Sequence, residues 1–523
     1  MDTVTAHDAQ HADRRAQVGV LAFIAVATFA CRIWWMTSPA TDVDSPFYSL
    51  MGEALLHGQL PYVDVWDRKP IGLFLIYAAA HAALGPQPVA YLVVAALFAG
   101  AGAWFACDIA RRLTSRGTGL VVAVLYLLGM DAYGSRGGQS EVFYTGLCLA
   151  MAWLALARPR SLRATCLAML LGGVALQIKY SVVPFCAVFA LVALRTRWNV
   201  HRKVSRLAGE AALFAALGLA PTALAFATYA ALGHADAFVF ANFVSIFLRP
   251  VVYGRWPAQT LAAVGPIALT AMVGLWAFLR LERDVPREAY LTVLALFAGA
   301  VASVFSTANV LAFYYAFLVP WAVLLACPFI DLRAKAGRIG AGLLVAAYLL
   351  AANHPHRIAV EREDRKTFDR FAGIVMAAGQ PRSLYLFYGP TSLYAATGTH
   401  GGRYPFPSHH NAAFEDGALG VPQAVLVAQA LARHPRFVVS LTDWRTDPAS
   451  TIAPRVDTTL RAGYRRVARG PMLDQDLTLW ERRDGRRNEK GPAQCTGPFL
   501  SYACEISRAC AAARCRPSSC RRP

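Results

Sequence analysis

Four residues near the start of the chain are of the types that acid–base and anion chemistry needs: Asp42 and Asp44, then Arg68 and Lys69. They lie in "DVDSPFYSLMGEALLHGQLPYVDVWDRKPIG", residues 42–72. An ionised carboxylate at a helix start, within hydrogen-bond reach of a hydroxyl, can take its proton. Two cations beside a second helix start, where free N–H groups and the dipole already favour negative charge, suit a phosphate. Paired carboxylates also suit a hard divalent cation. If a metal takes part, Asp42, Asp44 and, further on, Glu141 are its candidate ligands.

These side chains need elements to hold them. Ser45 fits an N-cap and Pro46 the first helical position. Phe47, Leu50, Met51, Ala54 and Leu55 then share one face, and Gly58 can end the helix. The segment is too short to span a bilayer, so its apolar face is expected on the lipid surface. Pro70 opens a second apolar run, Ile71 to Leu84, which Gly85 closes; Arg68 and Lys69 stand immediately before it.

The rest of the chain is membrane-like. It is 56% hydrophobic and 16% charged, with mean hydropathy +0.39, which a soluble chain of this length does not sustain. Apolar runs fall near 17–36, 88–107, 118–131, 141–157, 164–178, 180–195, 207–232, 260–280, 289–307, 309–330 and 338–353. That makes about eleven spans, several of them short. Ala164 to Leu194 is too long for one span and short for two, with Lys179 at the expected turn. The leader 1–16 is long and lacks a clean cleavage site, so a cytoplasmic N-terminus and a retained first span are expected.

Net charge is +19. The basic residues form short clusters between apolar runs, as membrane topology requires, and nucleic acid is not an expected partner. With the N-terminus inside, alternate loops carry the clusters, such as Arg111, Arg112 and Arg116, and the other loops carry few. Arg68, Lys69, Arg136, Lys179, Arg249 and Arg255 stay outside against this bias, which marks them as candidates for an outer anion.

Residues 355–484 read as an outer α/β domain. "SLYLFYG" and "RFVVSLT" suggest strands, "PQAVLVAQALARHP" an amphipathic helix and "GYRRVARGPMLDQDLTLWERR" a closing hairpin. His400, His409 and His410 lack a matching ligand set. The tail, 485–523, is Arg- and Cys-rich without patterning and reads as disordered. Its five cysteines have no C-x-x-C spacing, which argues against a zinc module.

The first loop resembles that of the GT-C glycosyltransferases, in particular bacterial members of the family 39 type, related to protein mannosyltransferases and the aminoarabinose transferase of lipid A. The matching residues are Asp44, Phe47–Tyr48, Gly58, Pro61–Tyr62 and Lys69–Pro70, with Ile71 where the family has a second proline. Softer likenesses follow in "GGQSEVFYTGLCLAMAWLALA" (Glu141), "GVALQIKYSVVP" (Lys179), "AFYYAFLVPWAVLLA" and "YGPTSLYAATGTHGGRYPFP". In the third of these the family often has His-Tyr; here Tyr314 and Tyr315 stand without the histidine. The likeness covers roughly residues 15–484.

The resemblance implies a GT-C-like transmembrane domain over 17–354, with its first outer loop at 37–87. The implied activity is an inverting transferase at the outer face of a bacterial inner membrane. It would move a sugar from a polyprenyl-phosphate-linked donor to a lipid, glycan or protein acceptor. Asp44 would be the general base. Lys69 and Lys179, then Arg68, Arg249 and Arg255, would meet the donor phosphate. Asp42, Tyr48, Tyr62, Glu141 and Tyr315 would serve the acceptor or support the site. A secondary transporter is the main rival, because ionisable residues near a bilayer also mark ion pathways. Its weakness is that the mid-span regions are nearly free of charge and the halves show no repeat. A non-catalytic scaffold or sensor with an outer binding domain, and a lipid-linked sugar ligase or polymerase of another fold, are the remaining readings.

Overall fold

Apolar runs separated by arginine clusters become helices in the computed structural model. It describes residues 2–39, 41–252, 258–281, 284–379, 383–399 and 411–483, without the side chains of 2–14, 258, 259 and 261. The chain forms two units: residues 1–38, 69–235 and 253–358 make the first, and 39–68, 236–252 and 359–523 the second.

The first unit is helical. In chain order it holds α1 (Asp2–Arg32), then, after α2 (Asp44–Leu56) of the second unit, α3 (Ile71–Leu84), α4 (Pro88–Leu113), α5 (Arg116–Ala132) and α6 (Ser140–Ala157). It continues with α7 (Leu162–Leu176), α8 (Val183–His201) and α9 (Val204–Ala231). After the short α10 (Ala235–Val239) come α11 (Ala258–Arg280), α12 (Arg287–Phe305), α13 (Val319–Leu325) and α14 (Lys335–Ala352).

Local chemistry sets these ends. Pro88 occupies the first turn of α4. The Ser115 side chain accepts the N–H of Thr118 to cap α5, and Ser161 accepts that of Ala164 to cap α7. Glycine lets backbones close up where side chains would hold them apart. A Cβ on Gly119 of α5 would fall 2.5 Å from the Cys107 carbonyl oxygen of α4, and one on Gly274 of α11 only 2.1 Å from that of Leu325 in α13.

Among the described residues, eight helices are long and apolar enough to cross a membrane, counting α14 and its continuation as one. The expected runs 118–131, 164–178 and 309–330 are also helical, but α5 and α7 have 17 and 15 residues. The third is a 3-10 turn, Ala312–Leu318, leading into the seven-residue α13. Much of these segments is buried in protein, which relaxes the length that lipid imposes. The ambiguous stretch from Ala164 to Leu194 is two helices, broken at 177–182.

The second unit includes α2, α10, most of α15 (His354–Ala377), α16 (Ser392–Thr397), α17 (Gln423–Ala432) and α18 (Ala453–Gly463). Its strands are β1 (Leu384–Leu386), β2 (Phe437–Leu441), β3 (Tyr464–Met472) and β4 (Gln475–Arg482), in the order β1-β2-β4-β3. β1 pairs parallel to β2, while β2–β4 and β3–β4 are antiparallel. Side chains alternate across the sheet. Val438 and Trp480 meet Val427, Leu431, Val456 and Leu460 of α17 and α18 on one face. On the other, Val439, Leu386 and Leu479 meet Phe368 and Phe371 of α15 and Leu393 of α16. The sheet is therefore covered on both faces, and every residue of β2 is buried.

Two expectations for the first loop need correcting. The helix starts at Asp44, one residue before the expected cap. The N-cap position is Val43, whose side chain makes no capping hydrogen bond, and the Asp42 carboxylate before it accepts the Ser45 N–H and hydroxyl, both at 2.6 Å. Phe47 and Met51 are wholly buried in the protein, not laid on lipid, and α2 packs against α16. Hydrophobic periodicity identifies an apolar face but not what covers it.

Candidate active site

Each unit contains a buried cluster of charges that includes residues the sequence singles out. In the first unit, Glu141 stands in the first turn of α6 and is fully buried. Lys179 lies in the break between α7 and α8, with extended backbone. The Lys179 ammonium donates to Glu141 Oε1 at 2.5 Å. Ser140 Oγ donates to the other carboxylate oxygen at 3.0 Å, and the Tyr144 hydroxyl approaches Oε1 at 3.4 Å.

Aromatic rings complete the wall. The ammonium lies 3.6 Å from the Tyr314 ring centroid, with Phe313 and Tyr144 at 5.8 and 5.9 Å. This is cation–π distance, in a setting from which water is largely excluded. Of the neighbouring tyrosines it is thus Tyr314 that faces the lysine. Tyr315 turns away, and its hydroxyl bonds Thr260 Oγ1 at 2.9 Å.

The α3 start expected from the sequence abuts this region. Pro70 is its N-cap and Gly85, at φ +86, its C-cap. The Leu73 N–H donates to the Gln177 carbonyl at 3.1 Å, two residues before Lys179. Gly72 makes that approach available, since a Cβ there would sit 2.7 Å from the same oxygen. Lys69 stands one residue before Pro70.

In the second unit, Asp44 and Tyr48 are buried on the first turns of α2. Tyr62 adopts a left-handed backbone at φ +70, and its N–H donates to the Val65 carbonyl at 2.6 Å. That tight turn brings in Asp67, wholly buried, which accepts the Arg68 N–H at 2.7 Å. The Arg68 guanidinium then grips Glu415 in a two-pronged ion pair. Arg249 reaches the same carboxylate at 2.9 Å, donates to the Phe414 carbonyl at 3.2 Å and stacks 4.6 Å from the Phe414 ring.

Glu415 is the residue that sequence reasoning missed. It lies in a Gly-rich stretch, "AAFEDGALG", with no periodicity and no motif. Arg68 and Arg249 are brought together by it, as Lys179 and Glu141 are by each other. Arg255 lies outside the described residues, as do His400, His409, His410 and the Cys-rich tail. Among the described residues no three His, Cys, Asp or Glu side chains group as metal ligands would.

No family's sequence model matches the chain, and no curated protein sequence does. Solved structures do match. ArnT from Cupriavidus metallidurans in the apo state superposes with TM-score 0.60 at 16% identity, covering 89% of this chain and 98% of that one. The structure of ArnT bound to undecaprenyl phosphate gives a TM-score of 0.57 at 14% identity, covering 91% of this chain and all of that one. The chain has the GT-C fold. At such identities the likeness speaks for architecture, and the GT-C architecture is what the first-loop motif implied.

Proposed function

We propose that the chain is an inverting glycosyltransferase that moves a sugar from a polyprenyl-phosphate donor to a hydroxyl of a lipid, glycan or protein acceptor. Its place would be a bacterial inner membrane, with the arginine-rich loops cytoplasmic and the sheet-containing unit periplasmic. The observation that carries this reading is the likeness to ArnT over nearly the whole of both chains, one structure of which is bound to undecaprenyl phosphate. The first-loop residues Asp44, Lys69 and Pro70 agree with it.

In the proposed reaction, Asp44 takes the proton of the acceptor hydroxyl as its oxygen attacks the anomeric carbon. The bond from that carbon to the phosphate oxygen breaks from the opposite side, and the electron pair leaves with polyprenyl phosphate. Negative charge grows on the phosphate, and fixed cations that meet it lower the barrier. Lys69 and Lys179 are assigned this role, supported by Arg68 and Arg249. Arginine offers two parallel donors to phosphate oxygens, whereas lysine acts as a point charge. Arg255 is assigned to the same phosphate, and Asp42, Tyr48, Tyr62, Glu141 and Tyr315 to supporting the site.

The test is transfer of labelled sugar from polyprenyl-phosphate donors in membranes holding equal amounts of wild type, Asp44→Asn and Lys69→Ala. Asn keeps the shape and loses the base, so turnover should fall about 10²–10⁴-fold. Undiminished transfer by Asp44→Asn would remove the aspartate from the mechanism. Absence of transfer by the wild type from every such donor would remove the reaction class.

A further inference from the structure

Away from these clusters, the first unit carries a groove between α1 and α4 that the transfer reaction does not use. Its apolar part encloses about 780 Å³ and is bordered by Ile24, Thr28 and Phe29 of α1 and by Val93, Leu97 and Ala101 of α4. A second cavity of about 300 Å³ continues it, sharing Leu21 and Trp104 as lining residues. This end is polar and holds Asp108, Arg111, Arg112 and Arg116.

From Val89 to Arg112 the α4 wall of the groove runs about 35 Å at the helical rise per residue. That is slightly more than the roughly 30 Å hydrocarbon thickness of a bilayer. At Gly100 the backbone of α4 runs close to α1. A Cβ added to Gly100 would already come within 3.3 Å of Thr28 Oγ1.

We propose that this groove binds an anionic phospholipid, its phosphate on Arg111, Arg112 and Arg116 and an acyl chain along α1 and α4. Charge complementarity selects the headgroup. Asp108 accepts from Arg111 at 2.5 Å and from Arg112 at 2.8 Å, so one carboxylate serves two guanidinium groups. Among the described residues Arg111 and Arg112 bring two positive charges to the one negative charge of Asp108, and a phosphodiester fits the surplus. Both Arg111 and Arg112 stay partly exposed, with side chains 43% and 36% accessible, so they can turn toward a ligand without leaving Asp108.

Aromatic residues set the depth. Trp104 and Trp153 lie 5.4 Å apart by ring centroid, and the Trp153 indole N–H donates to Asp108 at 2.8 Å. Tryptophans at this level belong to the headgroup region of a bilayer. Basic pockets between spanning helices are a general means of holding anionic lipid headgroups.

The test is native mass spectrometry of the full chain released from nanodiscs of equal phosphatidylglycerol and phosphatidylcholine. Wild type should retain phosphatidylglycerol about tenfold over phosphatidylcholine. Arg111→Gln/Arg112→Gln should lose that preference, and Arg111→Lys/Arg112→Lys should keep most of it. Ala101→Phe leaves every charge in place and fills the groove, so it should lose retained lipid of both kinds and keeps the test decisive if the Gln variant fails to fold. Equal retention of the two lipids by wild type would overturn the proposal. So would displacement of the phospholipid by polyprenyl phosphate, or a dimer in place of the lipid-bound monomer.

Discussion

Glu141 and Lys179 meet one to one behind a wall of aromatic rings, whereas Glu415 is shared by two guanidinium groups, those of Arg68 and Arg249. Both carboxylates are fully buried, so both clusters carry the cost of desolvating charge. Their redundancy differs. Changing Lys179 takes the ammonium away from Glu141, whereas changing Arg249 leaves Arg68 on Glu415. A ligand phosphate would compete with Glu141 for the lysine, and at the triad with a carboxylate that two guanidinium groups already share. Within the proposed reaction the pair should therefore act mainly on turnover and the triad mainly on donor affinity.

The largest effect expected from this contrast comes from breaking the pair on one side. Lys179→Met leaves Glu141 buried without its cation, which should cost about 3–5 kcal/mol of stability. Thermal unfolding in a single detergent reads it. Adding Glu141→Gln removes the orphaned charge and should restore most of the loss. Transfer activity should stay low in that double variant, down on the order of 10²-fold, if the lysine meets the leaving phosphate. Recovery of activity along with stability would reduce the pair to a structural role and break the contrast at its root.

A smaller effect is expected at the triad. In Arg249→Met, Glu415 keeps both prongs of Arg68, so only charged hydrogen bonds are lost, at about 1.5–3 kcal/mol in total. KM for the polyprenyl-phosphate donor should rise about tenfold for one lost phosphate contact, with kcat nearly unchanged. Lys in place of Arg249 should not restore it. Arg249 serves the Glu415 carboxylate and the Phe414 carbonyl at once through a planar fork. A fall in kcat at constant KM would reverse the assignment of the two clusters.

How much of this was legible in advance depends on how local each feature is. The α3 helix runs from Ile71 to Leu84 as expected, because a proline and a glycine fix its ends by backbone chemistry alone. The closing hairpin follows from alternation, even though its turn places Leu473 and Asp474 at φ +57 and +58, where glycine or asparagine is usual. The Leu473 N–H is held there by the Asp364 carboxylate at 2.9 Å. Glu415 was illegible, because its partner Arg68 is 347 residues away in sequence and nothing near it is periodic. Ser45 was expected as the cap, and Asp42, of a type that caps equally well, accepts the Ser45 N–H and hydroxyl instead. The sequence singled out Tyr315 as the accessory residue, and it is its neighbour Tyr314 that faces Lys179. Deciding between neighbours needs the direction of a 3-10 turn, which composition does not carry.

The smallest effect separates ring from charge at the lysine. The Lys179 ammonium sits 3.6 Å from the Tyr314 ring centroid, well inside cation–π range. Tyr314→Phe keeps the ring and removes the hydroxyl, so stability should stay near the wild-type value. Tyr314→Leu fills similar space without a π face and should cost about 1 kcal/mol, read as a lower unfolding temperature. Equal loss in both variants would mean that the hydroxyl matters rather than the ring. No loss in either would mean that Glu141 alone holds the lysine. Phe414→Leu is the matched change at the triad, where the ring lies 4.6 Å from the Arg249 guanidinium. It should cost less, because Arg249 keeps Glu415 and the backbone carbonyl of residue 414 whatever side chain stands there. If the Leu variant at 414 proved the more damaging of the two, the triad would depend on its ring more than on its shared carboxylate. The account of the triad as the donor-binding cluster would then lose its footing.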